Sequence, residues 1–290
     1  MKYITKPLLA SCVAIGLTAA PALAVIDTTF SPNDVILGFR AASGNGTSTT
    51  IMVNVGSATT FRDATTNMLN IANIGSALSS AYDSTWYDRT NLWAGFVSAT
   101  NGQNVDNSGG VPIASQTTDY NSTIYVSTRR TSTGTVGLAQ STAPGNTIAL
   151  DAQVIGGYIN TLGDTFNTIS TNGVYNGASS VTNSWNSYMT GSNTADFASA
   201  YNVEAAFTVG DRGIFGAAGT VEQMWDFYRV AQFPGSDPDA GKGLYQGTFT
   251  LNNSGDVSFI AAVPEPSTYA LIALTGILYF FVNKRRKANS

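Results

Sequence analysis

The chain has 290 residues, of which 14 are basic and 18 acidic, with no histidine and one cysteine, and only 11% are charged. Beyond that cysteine, Cys12, the composition excludes a disulfide framework, a thiol or imidazole nucleophile and a Cys/His metal centre. Asn, Thr, Ser and Gly stand where charge usually does, which suits strands with polar outer faces.

The N-terminus carries Lys2 and Lys6, then an apolar run from Leu8 to Ala20, then Ala22-Leu23-Ala24. A basic start, an apolar middle and a small-x-small end form the pattern a signal peptidase accepts, so residues 1–24 read as a signal peptide cut after Ala24. Leu9-Ala10-Ser11-Cys12 offers a lipoprotein reading, but too few apolar residues precede Cys12 and the apolar run continues past it. Cleavage at Ala24 removes Cys12. The remaining body, between Val25 and Val263, has 8 basic and 17 acidic residues, a formal charge of −9. An acidic body without a basic patch argues against nucleic acid as a partner.

Within residues 25–262, Val35, Leu37 and Phe39 alternate with their neighbours, Ser43-Gly44-Asn45-Gly46 carries turn chemistry, and Ile51, Val53 and Val55 alternate again. This predicts an antiparallel hairpin. Ile71, Ile74, Leu78 and Tyr82 recur at spacings of three and four, which predicts a short amphipathic helix with Gly75 as its weak point. Asn91 to Ala99 and Ser122 to Thr128 read as strands, and Asn101 to Gly110 as a loop. Val154, Tyr158, Leu162 and Phe166 lie four apart and predict a helix over 150–166. The polar stretch Thr171 to Thr194 gives no assignment. Gln223 to Val230 fits helix or strand, with Trp225, Phe227 and Tyr228 favouring strand. Tyr245, Gly247, Phe249 and Leu251, a turn at Asn252-Asn253-Ser254-Gly255, then Val257 and Phe259 predict a closing hairpin. The expected fold is mainly β with a few short helices (α+β): an antiparallel, sandwich-like body flanked by an N-terminal signal helix and one C-terminal transmembrane helix.

Residues 263–290 hold three parts in fixed order. Pro264 and Pro266 keep Glu265 extended and non-helical. An apolar run from Tyr269 to Val282 follows, at the short end of what crosses a bilayer. Lys284, Arg285, Arg286 and Lys287 form a basic stop that stays cytoplasmic and leaves Pro264 outside. This order, over Val263 to Lys287, resembles the PEP-CTERM sorting domain of Gram-negative, exopolysaccharide-producing bacteria. The resemblance implies recognition at Pro264, Glu265 and Pro266 and removal of the tail by an exosortase, a membrane transpeptidase that uses a cysteine. Asn33 to Arg40 with Ile51 to Gly56, and Tyr245 to Leu251 ahead of Gly255 and Phe259, also resemble the ends of uncharacterised surface proteins carrying this tail. No activity comes with that likeness.

Without histidine or cysteine, catalysis would fall to carboxylates, Ser with Lys, Tyr or a hard metal. Glu204 and Glu222, with Asp211 and Asp226, are the carboxylates to consider for a glycosidase pair, and the favoured reading is solvated side chains on strand edges. Lys242, the sole lysine of the body, lies in Ala240-Gly241-Lys242-Gly243, which lacks phosphate-loop spacing. Asp237-Pro238-Asp239 ahead of Gly241 lacks the further ligands of a calcium loop and reads as a turn. Trp86, Trp93, Trp185 and Trp225 are either core residues or a sugar-stacking face, with core favoured. Asn45-Gly46-Thr47, Asn121-Ser122-Thr123 and Asn252-Asn253-Ser254 match the glycosylation acceptor, as an Asn/Thr-rich chain does by composition. No catalytic residue, metal or cofactor is predicted.

The expectation is an exported cell-surface or matrix protein, not an enzyme. Its partners would be the signal peptidase and secretion machinery, an exosortase, the inner membrane in passing and exopolysaccharide. Alternatives are a carbohydrate-binding module using surface aromatics and, third, a carboxylate-dependent glycosidase.

Overall fold

The computed structural model describes residues 30, 33–100, 119, 123–130, 155, 159, 174–180, 184–190, 203–207, 213–215, 220–231 and 243–262. Hairpin turn chemistry sets the first strands: β1 (Asp34–Ala41) and β2 (Thr49–Ser57) pair antiparallel, with Leu37 opposite Val53 and Phe39 opposite Ile51. Gly44 and Gly46 adopt φ of 75° and 80° in the turn between them, a region glycine enters without steric cost. The other strands are β3 (Met68–Asn73), β4 (Leu92–Thr100), β5 (Thr123–Arg129), β6 (Val174–Ala178), β7 (Glu204–Ala206), β8 (Gly213–Phe215), β9 (Thr220–Ala231), β10 (Gly243–Leu251) and β11 (Asp256–Ala261). Three short helices are described: α1 (Ala58–Arg62), α2 (Gly75–Tyr82) and α3 (Trp185–Met189), with a 3₁₀ turn at Trp86–Asp88.

Nine strands form one antiparallel path in the order β3-β11-β10-β9-β5-β4-β1-β2-β6. β4 pairs with β5 through Val97–Thr100 and with β7 through Trp93–Gly95, so β7 wedges in where β4 and β5 part. Ser127 stitches that fork: its hydroxyl accepts from Phe96 N at 2.8 Å and donates to the Val203 carbonyl at 2.8 Å. β8 branches from β9 as a separate ladder.

Period-two alternation sends one set of side chains to each face. The concave core gathers Val35, Leu37 and Phe39 from β1, Phe96 from β4, Trp225 and Phe227 from β9, Phe249 from β10 and Phe259 from β11. Phe61 of α1 stands among them, with ring centroids 4.8 Å from Phe249 and 5.0 Å from Phe259 in edge-on geometry. Phe96 of β4 stacks on Phe249 of β10 with ring centroids 4.1 Å apart, although β5 and β9 separate those strands in the path, which requires the sheet to curl around this face, between an open sandwich and a half-barrel. The convex face carries a second cluster that includes Ile36, Met52, Val97, Ile124, Val126, Val230 and Trp185.

α2 straps the concave side. Its first residue, Gly75, lies against the β10–β11 turn, where an added Cβ would overlap the Ser254 carbonyl, and Ile74 N donates to Gly255 O at 2.9 Å. At its other end the Tyr82 hydroxyl donates to Phe39 O at 3.0 Å. Burial pushes that phenol's pKa well above its ordinary value, so it stays a neutral donor.

The two outer hairpins and the strands around Asn91–Ala99, Ser122–Thr128 and Gln223–Val230 follow the sequence reading. The predicted helix through Ile71 does not. Ile71 lies in β3, where Ala72 faces Val257 and Asn73 faces Asp256, and the helix starts only at Gly75. The exposed edge of β11 supplies the backbone partners that outweigh the helical spacing, while all four apolar residues still enter the concave core. The unassigned stretch Thr171–Thr194 contains β6 and α3. Of the region 150–166, Ile155 and Ile159 are helical and fully buried on the convex side, whereas Val154, Tyr158, Leu162 and Phe166 lie outside the described residues. So do the loop 101–110, the signal segment 1–24 and the tail 263–290. No helix among the described residues is long and apolar enough to cross a membrane.

Candidate functional site

Every residue of the predicted sorting and cleavage sites lies outside the described residues: Pro264, Glu265, Pro266, Lys284, Arg285, Arg286, Lys287, Ala22 and Ala24. Asp211 and the Asp237–Lys242 loop do too. The chemistry-bearing groups that the fold does place are Glu204, Glu222, Asp226, the four tryptophans and a set of arginines.

On the convex face Arg40, at the end of β1, reaches across to Glu204 of β7. Arg40 Nε donates to Glu204 Oε1 at 2.7 Å, and Nη2 donates to the same oxygen. The Trp185 indole of α3 donates Nε1 to Glu204 Oε2 at 3.1 Å. The Arg40 guanidinium lies 5.0 Å from the Trp93 ring centroid, a cation–π arrangement. Trp185 reaches this position because β1 has glycine at 38: its indole lies flat on Gly38, where any Cβ would overlap the ring. Burial lifts the Glu204 carboxyl above the usual carboxylate range, and the Arg40 and Trp185 hydrogen bonds pull it partly back.

The concave face holds a second built cluster. Asp119, 1% exposed, accepts from the Tyr125 hydroxyl at 2.8 Å and lies 3.0 Å from Arg62 Nη1 and 2.9 Å from Arg229 Nε. Tyr125 and Arg229 are cross-strand partners on β5 and β9, so the ladder itself sets two sides of this socket. Burial pushes the Tyr125 phenol well up, and the neighbouring Asp119 carboxylate adds to the push. A third cluster lies on the convex side of β9. Arg130 Nη2 donates to Asp226 Oδ1 at 2.6 Å and to Thr248 Oγ1 at 2.7 Å, and Asp226 also accepts from Thr248 at 2.7 Å.

Among the described residues, arginine is committed inward. Arg89 donates to the carbonyls of Ser43, Asn45 and Tyr82 at 2.6–2.9 Å, and Arg129 donates to the Ala206 carbonyl. None of the six described arginines (40, 62, 89, 129, 130 and 229) is exposed. Comparison of the chain with known protein families, characterised proteins and solved structures finds no match.

The carboxylates are therefore clamps as they stand. Expected on solvated strand edges, they are withdrawn instead: Glu204 has 7% of its side chain exposed, Glu222 is 5% exposed and Asp226 is fully buried. The physical reason is partnership, since arginine and indole donors make carboxylate burial tolerable for Glu204, and Arg130 does so for Asp226. Glu204 and Glu222 belong to different branches: β7 lies on β4, Glu222 faces Gly213 across β8–β9, and β5 runs between β4 and β9. Among the described residues no group of three or more carboxylates is placed to hold a metal.

Trp86, Trp185 and Trp225 are buried, which withdraws them from any sugar-stacking face, and Trp93 lies under Arg40. Sequence reasoning missed Asp119, Arg62 and Arg229 altogether. The available signal was an arginine, Arg229, inside the apolar-aromatic run Trp225–Val230, where a charge stands only with a partner.

Proposed function

We propose that the protein is an exported cell-surface or extracellular-matrix component with no catalysis of its own, carried to its place by an N-terminal signal and a C-terminal sorting tail. Residues 1–24 direct export, residues 25–262 form the exported body, and residues 263–290 hold the precursor in the inner membrane until an exosortase acts near Pro264-Glu265-Pro266. The observation that carries this reading is the order Pro-Glu-Pro, apolar run and basic cluster over Val263–Lys287, behind a separate signal at the other end. The body supports it as far as its own chemistry goes: Glu204, Asp226 and Asp119 are spent on internal arginines, which suits a scaffold more than a reacting centre. A sandwich-like closure of the body belongs to the same proposal.

The test is the intact mass of the protein from fractionated native cells, beside a Glu265→Ala variant. The expected native mass lacks residues 1–24 and the apolar run Tyr269–Val282, while the variant retains its tail in the inner-membrane fraction. A native mass that still includes Tyr269 to Ser290 makes the tail a permanent anchor and ends the sorting proposal.

A further inference from the structure

The glycosylation-like triplet Asn45-Gly46-Thr47 sits in a setting that favours a different covalent fate. We propose that Asn45 is a self-modification site, converting spontaneously through a cyclic imide to aspartate and isoaspartate once the protein is outside the cell.

Three observations carry this. Asn45 is exposed at the tip of the β1–β2 turn, and its amide is held by an exposed hydrogen bond, Nδ2 to Asp83 Oδ2 at 3.2 Å. The next residue is fixed as glycine by the fold: Gly46 has φ of 80°, and a Cβ there would overlap the Tyr82 ring and the Ala81 carbonyl. No side chain thus shields its backbone nitrogen, the atom that must attack. Arg89 Nη1 donates to the Asn45 carbonyl at 2.9 Å. A guanidinium on that oxygen draws electron density from the Asn45–Gly46 peptide and makes the Gly46 N–H more acidic.

The steps balance with water as the only co-reactant. The Gly46 nitrogen bonds to Asn45 Cγ, its proton passes to the departing side-chain nitrogen, and ammonia leaves. The five-membered imide then takes up water. Opening of the bond to Cγ leaves an ordinary aspartate in place of the asparagine. Opening of the bond to the main-chain carbonyl gives isoaspartate, whose backbone runs through the former side chain. Either product places a new carboxylate opposite Asp83, whose own pKa the hydrogen bonds from Thr85 lower, so that it stays ionised. The isoaspartyl product also adds a methylene to the turn that Arg89 ties to Ser43 and Tyr82.

The same chain contains its own control. Asn176-Gly177 is the same dipeptide, also exposed at the asparagine, but it lies within β6, where Asn176 faces Ile51 and Gly177 faces Thr50. The ladder holds that backbone extended and keeps its nitrogen from closing on the side chain.

The experiment incubates the full mature protein in mildly alkaline buffer at physiological temperature, with peptide mapping over time, both folded and in denaturant. In the folded protein Asn45 should convert several-fold faster than Asn176, with paired aspartyl and isoaspartyl peaks, and in denaturant the two rates should converge. Asn45→Gln should abolish the change at that peptide. The proposal is overturned if folded Asn45 converts no faster than Asn176, if folding slows Asn45 relative to its denatured rate, or if the native peptide carries a glycan on Asn45.

Discussion

At Glu204, ionisation is set by two opposed forces, and the outcome has a measurable sign. Burial is the larger influence and lifts the carboxyl above its ordinary value, with Arg40 and Trp185 acting against it. The folded chain therefore holds this proton more tightly than the unfolded chain does. The stability tied to protonation is fully present below the unfolded value of about 4.3 and is lost as pH rises through the higher folded value. Glu204→Gln keeps an acceptor for Arg40 but cannot ionise. The stability of the wild type relative to this variant, from urea midpoints, is expected to decline as pH rises above the unfolded value of about 4.3. A difference that grows over the same window would mean that the Arg40 pair outweighs desolvation.

Among the elements, α3 depends most on one position elsewhere in the chain. Its five residues bind the convex face through Trp185, which lies on Gly38 of β1 and reaches Glu204 of β7. Gly38→Ala should displace the indole and loosen α3 from the sheet, at about 1–3 kcal/mol by denaturant melt, with red-shifted tryptophan emission. Unchanged stability and emission would show that the sheet absorbs the methyl and that Gly38 is not what seats Trp185.

Such a contact explains what the sequence could and could not reveal. The two outer hairpins were legible because period-two alternation and Gly/Asn turns are local signals, and β9 because its aromatics leaned towards strand. The residues around Trp185 were not, since a short helix in a polar stretch is held by a strand from the opposite end of the body. Ile71 misled for a related reason: its spacing fits a helix, but the free edge of β11 lies far along the chain. The buried sockets of Glu204 and Asp119 were invisible because their partners come from β1, α1, β5 and β9, which nothing short of the strand order brings together.

At the scale of the whole sheet, the described residues enclose their positive charge. The curled sheet and its branches draw Arg40, Arg62, Arg89, Arg129, Arg130 and Arg229 onto carboxylates, carbonyls and rings. Proteases that cut after arginine or lysine need a protruding cation on accessible chain, and none of these six side chains is exposed. Arg212 and Lys242 are the other basic residues of the body. Native digestion with trypsin should therefore leave residues 33–100 as one uncut piece, with cleavage there only after unfolding; rapid native cutting at Arg40, Arg62 or Arg89 would contradict this. A protein shed into a medium rich in such enzymes would owe its lifetime less to thermodynamic stability than to having hidden the residues its attackers read.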